Sequence, residues 1–248
     1  MFPPPAEAPA PSRAILPIER IGAIMEVIIC SGFPTQLVLI AGLRGFGMPL
    51  AGPDGGMNPR FVFAVSLLDA GLVLGLVYLF LRAHGESVRE VLIGRVRVLR
   101  EVFLGIAMIP LAFVVVVLIL ALVLTYVPQL HNVLKNPLED MLRTRSDAAI
   151  FAVVVMVSGG VREEVQRGFI IHRFGQFLGG GTFGVIFYST LFGLGHFEQG
   201  YDAVLATGTL GMFWGFVYLR RGSIIAPVVS HAGFNLAQVV KHVALTWR

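Results

Sequence analysis

VFLGIAMIPLAFVVVVLILALVLTYV, residues 102–127, contains no charged side chain, and none follows until Lys135. A helix needs about 20 residues to cross a hydrocarbon core of about 30 Å, and this run is longer. Six more apolar runs accompany it, at 21–43, 61–81, 148–173, 179–197, 203–219 and 223–245. The first carries only Glu26 and the second only Asp69. Backbone in lipid must satisfy its own hydrogen bonds, so these runs predict helices. Their unbroken Ala/Val/Leu/Ile character lacks the strict alternation of a membrane barrel. Composition agrees: 56% of the 248 residues are hydrophobic and 14% charged, where a soluble domain is about a quarter charged. A soluble single-domain enzyme is excluded. The expected fold is all-α, a polytopic transmembrane bundle of about seven helices, within a range of six to eight.

The remaining residues organise that bundle. MFPPPAEAPAPSR is Pro/Ala-rich and a poor secretory signal, so residues 1–20 are expected to be a disordered tail. Residues 21–144 then form N-terminal membrane helices and 145–248 a C-terminal helical core. Arg82, Arg89, Arg95, Arg97 and Arg100 follow the second run, His172 and Arg173 end the fourth, and Arg220 and Arg221 end the sixth. Simple alternation puts all of them on one side, the cytoplasmic one by the positive-inside rule. The N-terminus is then inside, in a multi-pass protein of the cell membrane. The net charge of +4 reads as topology signal, with the lipid bilayer as a partner and no nucleic acid. Segment 128–147 is mixed in charge and is expected to hold a short interfacial helix. The single cysteine, Cys30, excludes an intrachain disulfide and a cysteine zinc site.

The fourth run is anomalous. Residues 161–174 read VREEVQRGFIIHRF, placing Arg162, Glu163, Glu164 and Arg167 inside an apolar helix. Ionisable groups at membrane depth are costly and mark function by default. The bland alternative ends the helix at Gly159–Gly160 and solvates these charges; the apolar GFII beyond them counts against it. Arg167 is spaced to face either carboxylate. Two later runs carry LFGLGHF, with Phe192 and His196, and SHAGFN, with His231 and Asn235 one helical turn apart. From the rise per residue, Glu163 lies roughly 15 Å from Arg173 at the inner end of its helix, His196 roughly 21 Å from Thr182, and His231 roughly 12 Å from Gly222. The three clusters can meet at one level. A Glu beside a His can hold and deprotonate water, and a His with an Asn can supply oxyanion donors. That is a plausible peptide-bond hydrolase.

In that order, the clusters resemble the motifs of the CPBP family (CAAX protease and bacteriocin-processing, or Abi) of intramembrane peptidases: a paired Glu with a following Arg, then FxxxH, then HxxxN. Phe192–His196 and His231–Asn235 fit without alteration, and the resemblance covers roughly 145–245, making 145–248 the catalytic core. It implies Glu163 as general base with His196 on the same water, His231 and Asn235 on the oxyanion, and Glu164 and Arg167 in support. The substrate it implies is a membrane-associated peptide or protein. Here the pair reads EExxR rather than EExxxR. Either Arg167 still reaches the carboxylates, which keeps an i,i+4 partner for Glu163 and is preferred, or Arg162 and Glu163 occupy the two Glu positions. Cofactor use is open: Glu163, His196 and His231 could bind zinc, and unaided activation of water is preferred. Rival readings are an inactive relative binding a peptide or partner protein, kept alive by the shortened spacing, and an ion-coupled transporter, which the absence of internal repeats disfavours.

Other polar residues draw blander expectations. His84, His131, His172 and His242 are interfacial, Glu26 and Asp69 bond neighbouring helices, and Phe213 and Trp214 are packing or interfacial anchors. Gly179–Gly181 lacks the lysine of a phosphate loop, and Ser158, Ser189 and Ser230 lack an Asp partner for a triad.

Overall fold

The computed structural model describes residues 14–52 and 55–246. Each apolar run becomes helix, and two of the seven runs are divided. The first gives α1 (Pro17–Ile29) and α2 (Phe33–Gly45), bent by 44° at the break. Gly32 makes that break: its φ of +86° is the left-handed region, where a side chain is strained. α3 (Pro59–Ala83) and α4 (Val98–Tyr126) follow as unbroken rods. The fourth run is α5 (Arg145–Val154) and α6 (Glu163–Phe177), joined by a π-helical stretch, Val155–Arg162. α7 (Gly181–Leu194), α8 (Tyr201–Arg221) and α9 (Ile225–Thr246) complete the bundle.

Among the described residues, three helices (α3, α4 and α8) are long and apolar enough to cross a membrane, and four spans result if bent α1–α2 counts as one. α7 is apolar but shorter. Only 17% of the most apolar window of α4 is buried inside the protein, so its Phe103, Val117 and Leu118 face outward. A surface of that kind suits lipid, and the chain is a membrane protein.

The N-terminal boundary shifts. Residues 1–13 of the expected tail lie outside the described residues, but the tail does not extend to residue 20. Pro17 opens α1, and the Glu19 carboxylate accepts the Leu16 N–H at 2.8 Å. The short helix expected within 128–147 is of 3₁₀ type: Pro128–Leu130 and Pro137–Met141 are 3₁₀ helices, and α5 begins at Arg145.

Lipid gives helices no hydrophobic reason to associate, so small residues set the contacts. α7 and α8 meet at Gly193 and Gly208, where a Cβ on Gly193 would stand 2.6 Å from the Val204 carbonyl. α9 lies against the π stretch in the same way: a Cβ on Gly160 would be 2.5 Å from the Ala232 Cβ. The Gly159–Gly160 pair therefore admits a neighbouring helix and does not end its own.

The basic clusters do converge on one end. Tyr218 donates to the Val91 carbonyl at 3.0 Å and the Ile224 N–H to Leu92 at 2.8 Å, tying both ends of the α8–α9 turn to the α3–α4 connection. Arg221 pairs with buried Glu101. Arg173, only 1% exposed, bonds Glu26 at 2.6 Å and Glu86 at 2.5 Å. His172 bonds Glu86 at 2.7 Å, and His84 bonds Glu26 at 2.6 Å. Burial alone would raise the Glu86 carboxyl. Hydrogen bonds from His172, Arg173 and Gln176, with the Arg173 charge, outweigh it and hold the group below the ordinary carboxylate range. The other histidines at loop and helix ends also have carboxylate partners: His131 bonds Asp202 at 2.6 Å, and His242 approaches Glu139 at 3.6 Å.

Candidate active site

α6 begins at Glu163, directly after the π stretch, so the backbone that aims the paired carboxylates carries an inserted residue. Glu163 and Glu164 then part company. Arg167 bonds Glu164, not Glu163. This corrects the i,i+4 pairing expected for Glu163. The i,i+3 spacing serves as well as i,i+4 to keep partners on one helix face, which is why EExxR still closes the pair. Arg162 turns the other way and bonds Asp69 on α3. Glu164 is enclosed by its partners while Glu163 remains part-exposed.

Glu164 has a second partner. Its Oε1 accepts from Nδ1 of His231 on α9 at 2.8 Å, giving a buried Arg167–Glu164–His231 chain across two helices. Arg167 Nε and Nη2 make no hydrogen bond. Instead the guanidinium carbon lies 4.8 Å from the centre of the Phe192 ring and 5.8 Å from that of Trp214, where ring quadrupoles attract the cation. Trp214 also stacks on His231, ring centres 3.8 Å apart and planes at 18°, and its Nε1 donates to Ser230 Oγ at 3.1 Å. Of the two roles expected for Trp214, packing or interfacial anchor, it is the packing one that holds: it is 1% exposed and lies flat against His231. No periodicity along α8 identifies it, because the contact spans two helices.

His231 turns Nε2 toward Glu163, 3.8 Å from Oε2 and beyond a direct hydrogen bond. His196 follows the end of α7. Its Nδ1 lies 2.8 Å from the Phe192 carbonyl, one of the orphan acceptors of the last helical turn. A carbonyl only accepts, so Nδ1 carries the proton and Nε2 keeps its lone pair. The FxxxH spacing thus supplies a tautomer lock as well as a ring contact, 4.9 Å between centres. Asn235 sits one turn beyond His231, against Gly159, where a Cβ would stand 2.5 Å from its Nδ2.

Glu163, His196, His231 and Asn235 all line one cavity of about 320 Å³. A second cavity, about 420 Å³, adjoins it and is walled by apolar side chains of α1, α2 and α7, including Ile28, Phe33 and Leu191. Glu163, Phe192 and His196 line both cavities and form the partition. Glu164 and Arg167 stand behind the site, lining neither. A carboxylate and an imidazole lone pair, with an amide lining the same cavity, can polarise a water and receive an oxyanion.

The zinc alternative fits this arrangement poorly. Among the described residues, no three His, Cys, Asp or Glu side chains are placed to hold a metal ion together. His231 Nδ1 is engaged by Glu164, and its Nε2 stands 3.8 Å from Glu163 Oε2.

No curated protein and no solved structure matches the chain. Residues 145–237, which run from the start of α5 past Asn235 and so contain Glu163, Glu164, Arg167, Phe192, His196, His231 and Asn235, match the family model described as type II CAAX prenyl endopeptidase Rce1-like. The match is confined to that segment, and it is to a CAAX-protease family, the kind its three motifs resemble.

Proposed function

We propose that this protein is an intramembrane endopeptidase that hydrolyses a peptide bond of a membrane-associated peptide or protein with an activated water. The observation that carries the reading is the shared cavity: Glu163, His196, His231 and Asn235 come from three helices to one wall-to-wall space. The match of residues 145–237 to the Rce1-like family model supports an endopeptidase of CAAX type.

In this mechanism one water donates to Glu163 and to Nε2 of His196, which turns its oxygen lone pair outward. The oxygen attacks the substrate carbonyl carbon, and Glu163 takes the proton as the C–O bond forms. Asn235 Nδ2 donates to the developing oxyanion. His231 stands beside it with its Nδ1 proton engaged by Glu164 and its Nε2 turned toward Glu163. Glu163 then delivers its proton to the leaving nitrogen as the C–N bond breaks. Glu164 and Arg167 hold His231 and touch no reacting atom. No metal ion takes part. The basic end lies in the cytoplasm, and the protein resides in the cell membrane with its N-terminus inside.

Membranes with wild-type protein are compared with membranes carrying Glu163→Gln, at equal protein level, by mass spectrometry of peptide termini. Termini that vanish in the variant are expected and identify the substrate. An identical set in both refutes the peptidase and leaves a peptide-binding relative as the better reading.

A further inference from the structure

The part of the chain outside the family-matched segment also reaches the site. Asp69 is buried at 2% exposure in the middle of α3. Its carboxylate takes a hydrogen bond from Arg162, another from the Thr35 hydroxyl on α2, and a weaker one from Gln36 Nε2 at 3.4 Å. One turn earlier on the same face of α3, the Ser66 carbonyl accepts from Ser158 Oγ at 2.8 Å. Ser158 and Arg162 are four apart in the π stretch that precedes Glu163, so α3 grips that stretch at two points. The α1–α2 break closes the grip from above. Gln166 Nε2 donates to the Cys30 carbonyl at 2.7 Å, and the Arg162 guanidinium fills the space where Gly32 would carry a side chain.

A buried ion pair is a poor device for stability, because desolvation consumes most of the Coulomb gain. Its position is informative. Arg162 adjoins Glu163 in sequence, and both line the second cavity together with Gln36. A guanidinium in an apolar bundle requires an anion. With Asp69 removed, the nearest carboxylate within reach along that cavity is Glu163.

We infer that Asp69 is a positioning residue of this site: by holding Arg162, it leaves the Glu163 carboxylate free to face water and His196. Asp69 touches no reacting atom and acts through Arg162 alone. The inference deepens the peptidase reading and rests on it for its kinetic consequence, but the pairing itself is measurable without turnover.

Two readouts on the full-length protein in membranes test it. The first is labelling of Glu163 by a hydrophobic carbodiimide, located by peptide mass spectrometry. Labelling is expected in wild type, lost in Asp69→Asn, where Arg162 occupies Glu163, and regained in Asp69→Asn/Arg162→Gln, where the competing cation is gone. The second is cleavage of the substrate found above. Asp69→Asn is expected to lower kcat by ~10²-fold with KM little changed, as for a misplaced catalytic group, and the double variant to recover most of that loss. A merely structural Asp69 predicts that the double variant is no better than the single one. Should Asp69→Asn fail to accumulate, Thr35→Val removes one anchor of Asp69 without touching charge and is expected to give partial loss of labelling. Equal labelling in wild type and variants overturns the inference. Labelling that follows the expected pattern in a chain with no cleavage would sink the peptidase reading and leave the pairing intact.

Discussion

Gly159→Ala separates positioning from stability at this site. A Cβ there would stand 2.5 Å from Asn235 Nδ2 and 3.7 Å from its Cγ, and would meet nothing else within 4 Å. Ordinary contact begins near 3.4 Å, so the amide must retreat by about 1 Å, a displacement that can cost ~10²-fold in rate. Loss of one oxyanion donor costs ~10²–10³-fold in kcat, or about 3–4 kcal/mol, so turnover is expected to fall by ~10²-fold. Stability should hold. The obstructed atom is the end of a side chain, and alanine gains up to about 1 kcal/mol over glycine within a helix. Gly160→Ala is the contrast, because its Cβ would meet the Ala232 backbone at 2.9 Å as well as its side chain, so two helices must separate. The assay is cleavage of the identified substrate in detergent or nanodiscs, beside thermal unfolding of the same preparations. Asn235→Ala should match Gly159→Ala, and the double variant should be no worse than either, because both remove the same contact. Wild-type turnover in Gly159→Ala, or additive losses in the double variant, would refute the placement of Asn235 on the oxyanion.

Three further outcomes are expected. Trp214→Phe keeps a ring on His231 and loses the bond to Ser230, a cost of about 1 kcal/mol in thermal unfolding with turnover within a few-fold; Trp214→Leu abolishes the stacking and should lower kcat far more, and equal kcat in the two variants would contradict the stacking role. Glu86 has its carboxyl held below the ordinary range, so its stabilising effect is full above the unfolded carboxylate value of about 4.3 and fades as pH falls through the lower folded value. Glu86→Gln should therefore melt lower than wild type at neutral pH, with the gap closing in acid; a pH-independent gap would contradict the linkage. Removal of metals by a chelator should leave cleavage unchanged, and loss of cleavage restored by zinc alone would overturn the metal-free mechanism.

How much of this was legible beforehand depends on the range of each interaction. Helix at Val102–Val127 follows from composition alone, because an uncharged apolar run in lipid has one way to satisfy its backbone. The same holds for the basic end, where Arg221, Arg173 and the α3–α4 connection sit together because alternating spans return the chain to one side. Among candidate site residues, spacing carried Phe192 with His196 and His231 with Asn235, since each pair is one helical turn apart. Spacing could not choose the partner of Arg167, as both carboxylates lie within one turn. The choice was made by His231 from α9, which bonds Glu164, and by Asp69 from α3, which draws Arg162 away from Glu163.

The features that escaped are those that need a second helix to exist. Trp214 becomes a site residue only when α8 brings it flat against His231. The use of small residues at Gly159–Gly160 shows only when α9 presses Ala232 and Asn235 against them. The bend at Gly32 interrupts an apolar run that hydropathy reads as continuous, and only the guanidinium of Arg162 beside it explains why glycine stands there. By itself, the sequence determined that the chain is a helical membrane protein and which polar residues share a level, because burial cost and helical repeat act locally. Only the tertiary structure decided which carboxylate stays free, because that is settled by competition among charges brought together from α3, α6 and α9.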